Sequence, residues 1–176
     1  MDGVHTAALA AANTFFTLIG HPEALEVVRL SPQLVGRAIA EALRLEPPVL
    51  FLSRYVLKDF HYQGVIVPAG NIIAMLWAAG NHDPSVFPKP ETFDMNRPQA
   101  GLTTFGGGIH ICPGRYVGVM LVWVLIEEFE SHGVRCSLGE RAAQWYPAHK
   151  MGQLKVLPVR LDRSAGAARV EAEIAG

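Results

Sequence analysis

Charge is scarce in this chain. Asp, Glu, Lys and Arg together make up 18% of 176 residues against 50% hydrophobic residues, a balance more buried than a free-standing small domain usually shows. The formal net charge of −1 offers no basic surface to nucleic acid. Cysteine is nearly missing too: with only Cys112 and Cys136, a disulfide framework is excluded and a single bridge is the most the count allows. No lysine or arginine precedes Arg29, so an amino-terminal secretory signal would lack its basic region. The longest unbroken apolar run, from Val117 to Ile126, is shorter than the roughly 20 residues a membrane span needs. These absences predict a cytoplasmic, soluble chain without a membrane span. There is no internal repeat, and no low-complexity tract beyond the Ala-rich start.

What the chain does have is concentrated in Phe105-Gly106-Gly107-Gly108-Ile109-His110-Ile111-Cys112-Pro113-Gly114. Gly106, Gly107, Gly108 and Gly114 let the backbone turn tightly and approach something flat and bulky, where a Cβ would obstruct. Such a loop can aim backbone N–H groups at a thiolate sulfur. The segment from Arg115 onward reads as a helix whose positive end favours an anionic Cys112. Cys112 therefore reads as a metal ligand. On the residues alone two plainer readings stay open, an inert buried cysteine in a glycine-rich turn and a bridge between Cys112 and Cys136. A phosphate loop does not fit, because no Gly-Lys-Ser/Thr follows the glycines and no strand–helix–strand pattern precedes them.

Upstream, Glu41-Ala42-Leu43-Arg44 sets a carboxylate and a guanidinium three apart in a helical pattern ending before Pro47-Pro48. The apolar neighbours Ala38, Ile39, Leu43 and Leu45 predict that this helix is buried. Buried ions need every donor and acceptor matched, so a further partner is expected. Residues 49–52, 55–57 and 65–67, with a turn at Pro68-Ala69-Gly70, predict a small sheet. Residues 72–79 read as an apolar helix stopped at Asn81-His82-Asp83-Pro84, with Asp83 as a turn or cap residue. Residues 116–129 are nearly all apolar, the pattern of a central core helix.

The spacing Phe-x-x-Gly-x-x-x-Cys-x-Gly, met by Phe105, Gly108, Cys112 and Gly114, resembles the haem-ligating loop of the cytochrome P-450 family, the haem-thiolate monooxygenases. Other motifs match in the family's order. Glu41, Arg44 and Arg97 stand where the family carries its Glu-Arg-Arg triad, which implies a lock between the helix and the segment leading to the cysteine loop. Asn81-His82-Asp83-Pro84 resembles the family's Asn-x-Asp-Pro stop, and residues 152–160 its last strand. Arg54 matches an arginine that reaches a haem propionate, and His110 a second propionate-contacting position. Without the family, Arg54 reads as a sheet-edge arginine and His110 as a solvated loop histidine. Gly3 and Thr6 fit the family's oxygen-face helix, whereas Asp2 and His5 replace its small residue and its acid. By resemblance Thr6, with His5 as a relay, handles protons; the alternative is that Thr6 is a helix N-cap. The family commonly carries an acidic residue and an arginine in the region after the ligand, where this chain has Val119 and Leu121, a departure that touches packing more than chemistry.

The resemblance implies a mainly α fold with small β-sheets, the C-terminal half of the cytochrome P-450 fold in truncated form. Residues 1–160 would form its haem-binding part and residues 161–176 a flexible tail. It implies haem b (iron protoporphyrin IX) as cofactor, with the Cys112 thiolate as proximal iron ligand and Phe105 shielding the sulfur. The implied activity is insertion of one oxygen atom from dioxygen into a small organic substrate. Since the sequence carries no flavin or iron–sulfur motif, electrons must come from a redox partner, a ferredoxin or flavoprotein reductase. The match runs from about Gly3 to Arg160 but covers half the family's fold or less, so the apolar faces of the helices at 7–19 and 116–129 are expected to meet solvent. The chain reads as a fragment, a truncated gene product or one part of a complementing pair. A non-catalytic haem-binding remnant and a haem-thiolate electron-transfer or sensing module are the competing readings.

Overall fold

The computed structural model describes residues 3–147 and 150–163, and it is mainly helical with small antiparallel sheets. Helix α1 (Gly3–Ile19) contains neither proline nor internal glycine and stops at Gly20. Helix α2 (Pro22–Leu30) opens on a proline, whose missing N–H costs nothing in a first turn. Helix α3 (Val35–Leu45) ends before Pro47-Pro48, as the sequence predicts. With helix α5 (Arg115–Ser131), these helices enclose one core that includes Ala10, Leu18, Val28, Ile39, Leu43 and Val122.

The described residues form four two-stranded sheets beside the helices. Strand β1 (Leu52–Tyr55) pairs with β4 (Ile72–Met75), placing Arg54 opposite Ile73. Strands β2 (Phe60–Tyr62) and β3 (Val65–Val67) form a hairpin through Gln63 and Gly64, and α4 is the short helix Trp77–Asn81. Strand β5 (Val134–Leu138) pairs with β8 (Val159–Arg163), and β6 (Gln144–Trp145) with β7 (Leu154–Val156).

One sequence expectation is overturned. Residues 72–79 are not a helix: the first half is β4, and helix begins only at Trp77. The turn at residues 68–70 brings Ile72 and Ile73 back alongside β1, and for β-branched side chains that ladder outcompetes an isolated apolar helical turn. Strand β8 continues to Arg163, taking in the first residues of the stretch read as a tail; residues 164–176 lie outside the described residues.

The two long helices differ in how they are covered. Along α1, Leu9, Ala10, Leu18 and Ile19 are buried, and so are Asn13, Thr14 and Thr17. Asn13 Nδ2 donates to Glu46 O (3.1 Å) and Gly152 O (2.9 Å), so part of the contact is polar. On α5 only Val122 and Ile126 are buried, while Tyr116, Val117, Met120, Leu121, Trp123 and Val124 are exposed. The bare face expected from the sequence is therefore found on α5, whereas the face of α1 carrying Leu9 and Leu18 is packed.

Glu41, Arg44 and Arg97 meet in the interior. Arg44 Nε and Nη2 donate to the two Glu41 carboxylate oxygens at 2.9 and 3.0 Å, and Arg97 Nε donates to Oε1 of the same group at 3.1 Å. The remaining guanidinium donors go to carbonyls: Arg44 Nη1 to Asn81 O (2.9 Å), Arg97 Nη1 to Pro88 O (2.7 Å) and Arg97 Nη2 to Thr92 O (3.1 Å). The Asp94 N–H also donates to Glu41 Oε1 (3.1 Å), and Arg44 lies 5.4 Å from the Phe87 ring centre. One carboxylate thus balances two buried cations, and the peptide carbonyls of residues 88–92 complete them. Glu41→Ala leaves both guanidinium groups buried without their anion. Urea unfolding should show a loss of about 3–5 kcal/mol at an unchanged slope.

Candidate functional site

The cysteine loop is closed by two short backbone bonds, Gly106 N–H to Thr103 O and Cys112 N–H to Phe105 O, each 2.8 Å. Within it, Gly106 (φ 67°) and Gly108 (φ 58°) take left-handed conformations that favour glycine, whereas Gly107 and Gly114 sit in ordinary backbone regions. The requirement read from four glycines therefore falls on two. The Phe105 ring packs against the helical core, which anchors one side of the neck. Beyond the loop, Arg115 Nη1 donates to Cys112 O (3.2 Å), with its guanidinium 4.2 Å from the Tyr116 ring centre.

Cys112 and Cys136 are both free and both half-buried, so no bridge joins them and neither thiol is sealed in the core. Helix α5 starts just after Gly114 without a side-chain cap, leaving its positive end three residues from Cys112. A Cβ at Gly107 or Gly108 would meet nothing within 4 Å, and Ile109 is 96% exposed. Open space thus lies beside Gly107 and Gly108, and Ile109, His110 and Ile111 are exposed on the loop. The two cavities flanking the Arg29–Glu130 pair, of about 180 and 440 Å³, are lined by α1, α2, α5 and neighbouring residues and do not include the loop.

The other residues singled out from the sequence are placed on separate elements. Arg54 lies on β1, where its Nη1 donates to Ser53 O (2.9 Å), and no carboxylate pairs with it among the described residues. His110 ends the one-turn helix Gly108–His110 inside the loop and is exposed. His5 and Thr6 lie in the first turn of α1, and Thr6 Oγ1 donates back to Gly3 O (3.3 Å). Thr6 is therefore inside the helix and does not serve as its N-cap.

Thr103 and Thr104, to which the sequence reading gave no part, and Asn81, read there only as the start of the Asn-x-Asp-Pro stop, hold the base of the loop. Asn81 Oδ1 accepts from Thr103 N–H (2.8 Å) and lies 2.9 Å from Thr103 Oγ1, while Asn81 Nδ2 donates to Thr104 Oγ1 (2.9 Å). Thr104 Oγ1 in turn donates to Leu43 O (3.1 Å) on α3. The signal available was a pair of threonines directly before Phe105 and an asparagine ending α4.

The family model described as Cytochrome P450 matches residues 33–129, more than half of the chain. The chain belongs to the cytochrome P450 family. It is 33% identical to cytochrome P450 monooxygenase PikC of Streptomyces venezuelae, over 95% of this chain and 41% of that protein. To 6-deoxyerythronolide B hydroxylase of Saccharopolyspora erythraea it is 32% identical, over 84% of this chain and 37% of that protein. Among solved structures, ligand-free cytochrome P450 TbtJ1 superposes with a TM-score of 0.81 at 30% identity, over 89% of this chain and 42% of that one. P450BioI, solved with a ligated acyl carrier protein, gives 0.80 at 28% identity, over 89% and 41%. The chain thus spans about two fifths of the length of the P450 relatives it matches.

The residues present fit the haem that P450 proteins bind. A free thiol can supply the soft donor that iron accepts, and the loop that carries it leaves open space at Gly107 and Gly108. No helix among the described residues is long and apolar enough to cross a membrane.

Beside the α4 terminus, burial holds the Glu46 carboxyl above its ordinary value. The nearby His82 opposes the rise and Glu91 adds to it. A carboxyl raised on folding is protonated more readily in the folded chain than in the unfolded one. It therefore subtracts stability as pH rises from about 4.5 through the raised value. Glu46→Gln should remove that decline, so the thermal midpoint of the variant should gain on the parent as pH rises above about 4.5.

Proposed function

We propose that this chain carries the haem-binding part of a P450 monooxygenase that inserts one oxygen atom from dioxygen into an organic substrate. The observation that carries this reading is the free, half-exposed thiol of Cys112 at the neck of a loop whose left-handed glycines and packed Phe105 fix it just before α5. Haem b, when bound, supplies the iron at which dioxygen is activated.

The chain's own residues divide the remaining work. Cys112 binds the iron as thiolate, with the positive end of α5 stabilising its charge. Gly108 and Gly114 keep the loop clear of side chains beside the sulfur. Arg54, a cation without a carboxylate partner among the described residues, is placed to hold a propionate, and His110 offers an N–H to the second. Thr6, with its hydroxyl bonded only weakly to Gly3 O, holds a proton on the oxygen side, and His5 one position earlier relays it. Glu41, Arg44 and Arg97 keep the scaffold in register. Electrons come from a ferredoxin or flavoprotein reductase docking on the side of the cysteine loop.

Expression with a haem supply tests the reading. The reduced, carbon-monoxide-bound protein should show the far-red Soret band of thiolate ligation, and Cys112→Ala should lose it. A chain that takes up no haem is the inert remnant. A chain with the band that yields no oxidised product under a reducing system, with a panel of small organic substrates, is an electron-transfer or sensing module.

A further inference from the structure

We infer that Asn81 is the positioning residue through which the buried ion cluster sets the geometry of the Cys112 loop, an inference that rests on the haem-thiolate reading of that loop. Asn81 is wholly buried, and both ends of its side chain are engaged. Its backbone carbonyl accepts from Arg44 Nη1 at 2.9 Å, tying it to the Glu41 cluster. Its side-chain oxygen holds Thr103 through the backbone N–H at 2.8 Å, and its side-chain nitrogen holds the Thr104 hydroxyl at 2.9 Å. Those two threonines directly precede Phe105, whose carbonyl receives the Cys112 N–H, and the Thr103 carbonyl receives the Gly106 N–H.

A path of hydrogen bonds and adjacent residues therefore runs from Arg44 to Cys112, and the Asn81 side chain joins its two halves alongside the Thr104 bond to Leu43 O. The side-chain amide suits the task because it offers an acceptor to one threonine and a donor to the next. Alanine offers neither, and aspartate offers only the acceptor. Gly80 adds a steric condition: a Cβ there would stand 3.2 Å from Thr103 Oγ1 and 3.3 Å from its methyl group, so glycine lets the loop base seat against α4. Breaking these bonds should loosen the loop neck while leaving the sheets, which do not contact Asn81 through any bond of this network, as they are.

Two measurements on the full chain test this. In the haem-free protein, Asn81→Ala should speed amide exchange of Gly106 and Cys112 about tenfold, with exchange in the β5–β8 pair unchanged. Thr104→Val, which also loses the bond to Leu43 O, should act in the same direction more weakly, and the double variant should fall short of the sum of the two. In the haem-loaded protein, Asn81→Ala should convert at least half of the thiolate-type carbon-monoxide band to the thiol type, and Asn81→Asp, which keeps the Thr103 bonds, should retain more of it. Uniformly faster exchange with an unchanged band would mean that Asn81 only stabilises the fold, and the inference would be overturned. Additive effects of Asn81→Ala and Thr104→Val would overturn it too. If Asn81→Ala does not fold, Thr104→Val and Asn81→Asp carry the same comparison. The haem-thiolate reading fails on the spectrum of the unaltered chain, whereas this inference fails on the exchange pattern, which needs no haem.

Discussion

The guanidinium of Arg44 is completely buried, and the arrangement of this chain follows from the need to match each of its donors. A cation in that position is tolerable only where an anion and peptide carbonyls surround it. Glu41 supplies the anion from one turn earlier on α3, and the carbonyls come from the end of α4 and from the irregular segment before Arg97. Neither of those segments has regular structure enough to hold itself: α4 is five residues long, and residues 88–97 contain no helix or strand. Their positions are dictated by where the charge needs oxygen atoms. The ion cluster is thus a template for chain that would otherwise wander, and the cysteine loop begins where that templated stretch ends.

This arrangement separates two kinds of residue within the site. Those that shape the thiol's surroundings are fully bonded within the chain: the neck of the loop, the Phe105 anchor and the Arg115 contact to the Cys112 carbonyl. Of those proposed to touch a cofactor or move protons, Arg54 bonds to Ser53 O and Thr6 to Gly3 O, both close along the chain. Groups of the second kind keep their remaining capacity for a ligand, and a scaffold of the first kind holds them without using that capacity up.

What could be read from the sequence followed from how local each signal is. The helices ending at Gly20, before Pro47 and near Gly133 were legible because breakers and periodicity lie within one segment. The burial of Glu41 and Arg44 was legible from their apolar neighbours, and the glycine–cysteine loop from its spacing. Residues 72–79 were misread because an isolated apolar run has no period to separate strand from helix, and the partner that decides, β1, lies twenty residues earlier. Asn81 escaped for a similar reason: its donors and acceptors are twenty-two and twenty-three residues downstream, and nothing in the local pattern marks an asparagine that bonds across such a gap from one that merely ends a helix. The polar stripe of Asn13 and Thr17 on an otherwise apolar α1 was invisible on the same grounds.

The uncovered stripe on α5, from Tyr116 through Met120 to Val124, has a practical side. Monomeric proteins seldom display so much contiguous oily surface, and water gains when two such stripes press together. Concentrating the chain alone should thus favour clumping through this helix, and mild detergent or a charged substitution such as Leu121→Glu should keep it dispersed.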